Sequence, residues 1–521
     1  MLSALNRIFL LLLILSAVSA ILFSILILAL PALVGQGLEL KELEDASKSG
    51  ALSLQLGDAA PSISPDYSPY LANLTLVTPP LSESDVLSVL VFSGGKKIAD
   101  FDCLSDYESY SDYYGQTVFS CLVPIPYDYS SSADYEIFGS LSGDGGELVS
   151  EPRSVHADWT PYEGNFWGFS WILAIFGLGI YLVVLLPLTL VVLGIASKMK
   201  HGGADPKEYS FGSLLNPLSV GKTFFEKANA FFISPYFWAL ELLGIFIILF
   251  YMALSAEIWK SGTAFVAFIF SGLMALVIPY LWCLAFWYAD FKEREPLRIL
   301  VTFFLWGMLA ALMAIGINSI AGELLSLVGL GFLGTFLLAP PLEEFYKGSG
   351  LGLLSTHHEF DSVEDGVVFG FVIGMGFSFI EDWLYMLNNP MGSDIWGWLG
   401  LFFMRSILFS ANHGLYTAIT GGVIGFVIER GFKAPALGML VAVPIAAFFH
   451  AMHNSGEMLI ALLGGGGALV YCCLLIPLFD YGGLALLIAL FVYAVFRKKR
   501  ASSPDRIRGS GYLPTRVDGL G

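Results

Sequence analysis

Charge is what this sequence has least of. Asp, Glu, Lys and Arg make up 13% of its 521 residues, about half of the ~25% usual in soluble domains, so a wholly water-facing chain is excluded. Basic residues are the scarcer sign, 26 against 44 acidic for a formal charge of -18; a nucleic-acid binder needs a basic face, and no nucleic-acid partner is expected. Disorder needs low hydrophobicity, and here hydrophobic residues reach 56% with a mean hydropathy of +0.72. Cysteine is nearly absent, five in all. Cys283, Cys472 and Cys473 sit in apolar runs, where a thiol behaves as a small hydrophobe.

The acidity that exists is concentrated. Residues 35–168 hold 21 Asp and Glu against 5 Lys and Arg, or -16 of the total -18, which marks a separate water-facing domain. It contains the other two cysteines, Cys103 and Cys121, and a disulfide between them is expected in an oxidising compartment. Asn73-Leu74-Thr75 has the form of a glycosylation acceptor. Runs such as Val86 to Phe92 and Val118 to Pro124, with Gly94-Gly95 and Gly145-Gly146 as turn signals, predict a small β-sandwich.

Elsewhere the chain is built of apolar runs, and spanning a bilayer takes about 20 such residues. Ile8 to Val34 runs 27 residues without a charge, too long for a signal-peptide core of about 7 to 15, and is read as an anchor. Further runs at Trp171–Ala196, Pro235–Ala256, Ala264–Ala289, Ile299–Ala321, 328–355, Gly366–Leu387, Trp396–Ile428, Pro435–Leu463 and Ala468–Phe496 give an all-α polytopic bundle of about ten transmembrane helices with a small extracytoplasmic β-rich domain. Lys and Arg in short loops mark the cytoplasmic side. The clusters at Lys198 with Lys200, at Lys292, Arg294 and Arg298, at Arg430 with Lys433, and from Arg497 to Arg500 share one side of a ten-span arrangement. The expected organisation is a multi-pass cell-membrane protein. Residues 1–34 anchor it, 35–168 lie extracytoplasmic, 169–496 form the membrane domain, and 497–521 are a basic disordered tail; both termini are cytoplasmic. No internal repeat is evident.

An ionisable group inside a span costs several kcal/mol, so each is a functional hypothesis. They gather in four consecutive runs: Glu343, Glu344 and Lys347; Glu381, Asp382 and Tyr385; Arg405 and His413; and His450, His453, Asn454 and Glu457. The last four stand at i, i+3, i+4 and i+7, one stripe of a helix. Counting from the run limits puts Glu343, His413 and His450 near the bilayer midplane and Glu381 toward the external side. Gly366, Gly370 and Gly374 recur every four residues, a small-residue face that lets helices approach closely. Two histidines and two or three carboxylates in one low-dielectric pocket would support hydrolysis by either of two routes. In one, Glu343 takes a proton from water while Asn454 donates to the oxyanion. In the other, His413, His450 and Glu343 hold a metal, zinc being the expected ion, with one position left for water. Arg405 is expected to partner a carboxylate, and Asp480 to be a packing or interfacial charge. Metal binding is not expected at His357-His358-Glu359, which lies in a cytoplasmic loop and lacks the second His of an HExxH motif. Gly376-Phe377-Ser378 imitates a serine-protease motif without a partner His in context.

The order of these groups resembles a known family. Glu343-Glu344-Phe345-Tyr346-Lys347 fits an EExxK motif, Asp365 to Gly370 leads through Gly374 and Gly376 to the ExxxY of Glu381 to Tyr385, His413 and Thr417 follow, and His450 to Asn454 gives HxxxN. This is similar to the PrsW family of intramembrane proteases and, through the FxxxH of Phe409 to His413, more distantly to the CAAX prenyl protease and Abi superfamily. The resemblance covers about 290–465. It implies a membrane-embedded peptidase of metallo- or glutamate type that acts on a membrane-anchored protein. Its catalytic set would be Glu343, Glu344, His413, His450 and Asn454, supported by Lys347, Glu381, Tyr385 and Arg405. The alternatives from other classes are a non-catalytic scaffold of the same superfamily and a proton- or ion-coupled transporter.

Overall fold

A computed structural model describes residues 53–165 with breaks, 186–196, 208–255, 262–326, 334–388 and 395–497, apart from single positions. The expected anchor at 8–34 and the tail lie outside these residues. Of the expected disulfide, Cys103 lies outside them, and the side chain of Cys121 is not described.

The N-terminal region is β-rich, as alternation predicts. Its strands are β1 (Ser53–Leu56), β2 (Ser62–Ile63), β3 (Tyr70–Thr78), β4 (Val86–Ser93), β5 (Lys96–Asp102), β6 (Ser109–Tyr113), β7 (Gln116–Ile125), β8 (Ser132–Gly143), β9 (Gly146–Val149) and β10 (Arg153–Asp158). One sheet runs β1-β3-β7-β6; the other runs β2-β10-β8-β4-β5, with β9 on β8. Leu74, Leu76, Val123 and Ile125 from the first sheet share a buried cluster with Leu87, Val89, Val91, Ile137 and Val155 from the second. The two sheets therefore face each other, and the period-2 pattern has its inward side here. Gly94 and Gly95 both have positive φ, 56° and 80°, the backbone that a two-residue β4–β5 hairpin requires. Trp159 is fully buried and donates from Nε1 to Tyr135 Oη at 2.9 Å, which gives its polar edge a partner.

The rest is helical: α1 (Leu186–Ala196), α2 (Phe211–Leu215), α3 (Phe224–Phe232), α4 (Pro235–Ser255), α5 (Gly262–Ala289), α6 (Leu297–Ser326), α7 (Ala339–Leu354), α8 (Val363–Asn388), α9 (Ile395–Phe402), α10 (Ala411–Glu429), α11 (Met439–Asn454), α12 (Gly456–Leu463), α13 (Gly465–Val470) and α14 (Gly482–Arg497). Among the described residues five stretches are long and apolar enough to cross a membrane, or six if α3 and α4, bent by 52°, count as one. The sequence suggested about ten. The difference has a physical origin beyond the undescribed segments, because apolar runs are not all single helices. Trp396–Ile428 is α9, a π-helical stretch Phe403–Leu408, and then α10. Pro435–Leu463 divides after Asn454. Gly334–Leu338 and Tyr471–Tyr481 are also π-helical. Such wide turns recur at functional sites.

α8 is the axis of the bundle, with 94% of its apolar window buried. Its glycines explain how. A Cβ at Gly366, Gly370 or Gly374 would stand 2.1, 2.4 or 2.2 Å from the carbonyl oxygens of Gly421, Thr417 and His413 on α10. On another face, Gly376 meets the Phe304 carbonyl of α6 at 2.0 Å. Backbone lies directly on backbone along both seams, and this fixes the height of His413 against α8.

Candidate active site

Four helix ends converge. Glu343, Glu344 and Lys347 lie in the first turns of α7, Glu381 near the end of α8, His413 at the start of α10, and His450 near the end of α11. Depth counting put three of these at mid-span and Glu381 apart from them. The structure brings Glu381 to the others, its Oε2 directly contacting His413 Nε2. One ligand atom each from Glu343, His413 and His450 fall within 4.8 Å of one another.

Glu344 is saturated. Its Oε1 accepts from Lys347 Nζ at 2.7 Å and from His450 Nδ1 at 3.1 Å, and its Oε2 accepts from Thr417 Oγ1 at 3.3 Å. Glu344 and Lys347 are both fully buried; such a pair survives burial because every charged atom has a partner. Glu343 is different. Its Oε1 accepts from Asn318 Nδ2 on α6 at 3.0 Å, while its Oε2 is buried with no hydrogen-bond partner. That oxygen lies 3.8 Å from both Lys347 Nζ and His450 Nε2.

The histidine tautomers follow from their neighbours. Glu344 takes the Nδ1 proton of His450, which leaves Nε2 as a lone pair beside Glu343. For His413, the Lys347 ammonium is 3.0 Å from Nδ1 and has only protons to offer, so the ring proton is on Nε2, facing Glu381. Lys347 also lies 3.8 Å from the centre of the Phe377 ring, within cation–π range. Glu381 is balanced by Arg405 at 3.0 Å; Arg405 also reaches Asp382 at 3.4 Å and covers the half-exposed Tyr385 ring at 3.9 Å. Tyr385 meets the cluster through this arginine.

The stripe read on the ninth run splits. His450 joins the cluster, but His453 turns to Asp480 at 2.8 Å and to Asn412 at 3.3 Å. The helix ends at Asn454, which places Glu457 on the next element. Asn454 is the last residue of that helix, one turn beyond His450. Asp480 is buried and accepts from Tyr416 Oη at 3.3 Å; the Tyr416 ring stacks on His450 at 4.9 Å and 18°. Sequence reasoning missed Asn318, Phe377 and Tyr416. Only Asn318 carried a signal, as the amide inside the fifth apolar run. Ser378 pairs with Asp382 and Ser410, both at 3.3 Å, and no histidine is among these partners.

Two histidines, a carboxylate with an unsatisfied buried oxygen, and a second carboxylate holding one imidazole form a donor set that suits a catalytic zinc-type ion. The same set, with Lys347 supplying positive charge, suits a proton acceptor beside a wet cavity.

Outside the spans, the α7–α8 turn forms a second cluster. Burial would raise Glu208, but the hydrogen bonds and charges of His357 and His358 outweigh it and hold its carboxyl at about 2.

Residues 295–481 match the family described as PrsW family intramembrane metalloprotease. Among curated proteins, the chain is 25% identical over 232 residues to Protease PrsW of Oceanobacillus iheyensis, covering 44% of this chain and 95% of that protein. It is 31% identical over 159 residues to Protease PrsW of Geobacillus kaustophilus, covering 30% and 66%, and 24% identical over 187 residues to Protease PrsW of Bacillus subtilis, covering 36% and 82%. No solved structure matches the chain. The helices that carry the carboxylates and histidines lie within the matched residues, and the family match together with these relatives supports membership of the chain in the PrsW family of intramembrane proteases.

Proposed function

We propose that this chain is an intramembrane peptidase that hydrolyses a peptide bond near or within the membrane segment of a membrane-tethered protein, with Glu343 as the proton acceptor. The observation that carries this reading is the contrast at the start of α7. Glu344 has every oxygen occupied, whereas Glu343 presents a buried oxygen without a hydrogen bond, beside the free lone pair of His450.

In this mechanism Asn318 holds Glu343 so that Oε2 faces the reacting water. Glu343 takes one proton as the water oxygen bonds to the scissile carbonyl carbon. It returns that proton to the amide nitrogen as the carbon–nitrogen bond breaks. Glu344 is the positioning carboxylate: it fixes His450 by Nδ1 and neutralises Lys347. Asn454 is assigned to the oxyanion, one turn beyond His450. Arg405 pairs with Glu381, which faces His413; with Lys347 on Nδ1, the orientation of His413 is thereby set from both nitrogens.

A bound zinc-type ion would be held by Glu343, His413 and His450. It would polarise the carbonyl and acidify water. Binding it requires His413 to give up its contact with either Lys347 or Glu381. The extracytoplasmic placement of 35–168 and the Cys103–Cys121 disulfide belong to the same proposal, with the β-rich domain selecting substrates beside the bundle.

The test is cleavage of single-span membrane proteins by the purified chain, compared with Glu343→Gln and His450→Ala. Loss of cleavage in both supports the reading, and unchanged cleavage in either removes the site. Cleavage that persists after full chelation leaves the acid–base route, and loss restored by added zinc selects the metal route. Ion flux without proteolysis would point to a transporter.

A further inference from the structure

The turn between α7 and α8 brings together a second pair of histidines and a carboxylate. We propose that Glu208, His357 and His358 form a site for a divalent transition-metal ion of zinc type, clamping the segment before α2 to the turn that joins the two helices carrying Glu343, Glu344, Lys347 and Glu381. Their ligand atoms lie within 4.8 Å of one another. His357 Nε2 is 3.0 Å from Glu208 Oε1, and His358 Nε2 is 2.5 Å from Glu208 Oε2. The two rings stack at 4.5 Å and 28°, and both Nε2 atoms face the Glu208 carboxylate. Two imidazole nitrogens and one carboxylate are borderline-soft donors that select zinc, cobalt or nickel over calcium or magnesium.

The site is built rather than incidental. The Glu208 backbone carbonyl accepts from Arg298 Nη1 at 2.9 Å and from Ser213 Oγ, which positions its side chain from α6 and α2. Arg298 is thereby turned to the carbonyl and, within 5.7 Å, to the Tyr209 ring. Glu359 braces the far edges of both rings: its backbone N–H donates to His357 Nδ1 at 3.2 Å and its Oε1 lies 3.8 Å from His358 Nδ1. His357 is buried and His358 exposed, so an ion has a path in from solvent. The site is separate from the first cluster. Glu343 and Leu354 bracket most of α7, 11 residues or about 16 Å of helix. The HExxH test failed at His357 because the third ligand comes from 149 residues upstream, where no local motif could register it.

The experiment uses the full-length chain in detergent, stripped with chelator and titrated with Zn²⁺ alone. Metal content and the visible absorption of Co²⁺ are the readouts. With the first cluster disabled by Glu343→Gln and His450→Ala, one equivalent is expected to remain, and adding His358→Gln or Glu208→Gln should remove it. His358 is exposed, so His358→Gln alone serves as a fold-sparing control: its zinc content should fall by one equivalent from the wild-type total, whatever that total is. Zinc content unchanged by both His358→Gln and Glu208→Gln would overturn the proposal and leave the two imidazoles as plain hydrogen-bond donors to Glu208.

Discussion

The two ends of α7 offer the same two residue types, histidine and glutamate, arranged to opposite effect. At its start, two histidines meet carboxylates in the presence of a buried lysine and, one step away, an arginine. At its end, His357 and His358 face Glu208 with no lysine or arginine among the described residues paired to that carboxylate. At the far end the two histidines are themselves the partners of the carboxylate, and in the proposed site a cation takes that place. At the near end Lys347 already holds that place for Glu344, and one carboxylate oxygen of Glu343 is left without a hydrogen bond. A cluster of His and Glu is therefore read by what else neutralises it.

The contrast between Glu343 and Glu344 can be broken most decisively by Glu343→Gln, which should lower the rate of substrate cleavage by about 10²–10⁴-fold with no loss of thermal stability; a rate within tenfold of wild type would move the proton acceptor elsewhere. Glu344→Gln strips Lys347 of its buried partner and should destabilise the fold by roughly 3–5 kcal/mol, read as a lowered unfolding midpoint in detergent. Equal midpoints for the two glutamine variants would erase the distinction between the carboxylates. Gly374→Ala forces a Cβ to within 2.2 Å of the His413 carbonyl and should cost about 1–3 kcal/mol together with most of the activity. Gly400→Ala, where an added Cβ meets nothing within 4 Å, serves as the unaffected control. Thr417→Val removes one hydrogen bond to Glu344 and should cost about 1 kcal/mol, with a few-fold slower cleavage.

Much of the site was legible because charges inside apolar runs are conspicuous. Glu343, Glu344, Lys347, Glu381, Arg405, His413 and His450 all stood out on that ground, and the Gly366, Gly370 and Gly374 spacing anticipated the α8–α10 seam. Neutral partners do not announce themselves: Asn318, Phe377 and Tyr416 look like ordinary membrane-helix residues until the fold turns them toward Glu343, Lys347 and His450. Hydropathy also cannot see a π-helical turn. Apolar runs were therefore read as straight spans, Glu381 was counted apart from His413 although the two touch, and His453 was counted with His450 although it serves Asp480.

The row of glycines under α10 has a mechanical corollary. With bare main chain seated on main chain at three successive turns, those two helices are geared together, and neither can slide or roll without lifting the whole row. The α7–α11 contact is of another kind: a Cβ at Gly348 or Gly352 would meet the flexible thioether of Met439, at 3.3 and 3.0 Å, a side chain that re-folds at little cost. Side chains along that softer joint can re-pack around the Glu344–His450 hydrogen bond that crosses it, while the geared pair holds His413 in register.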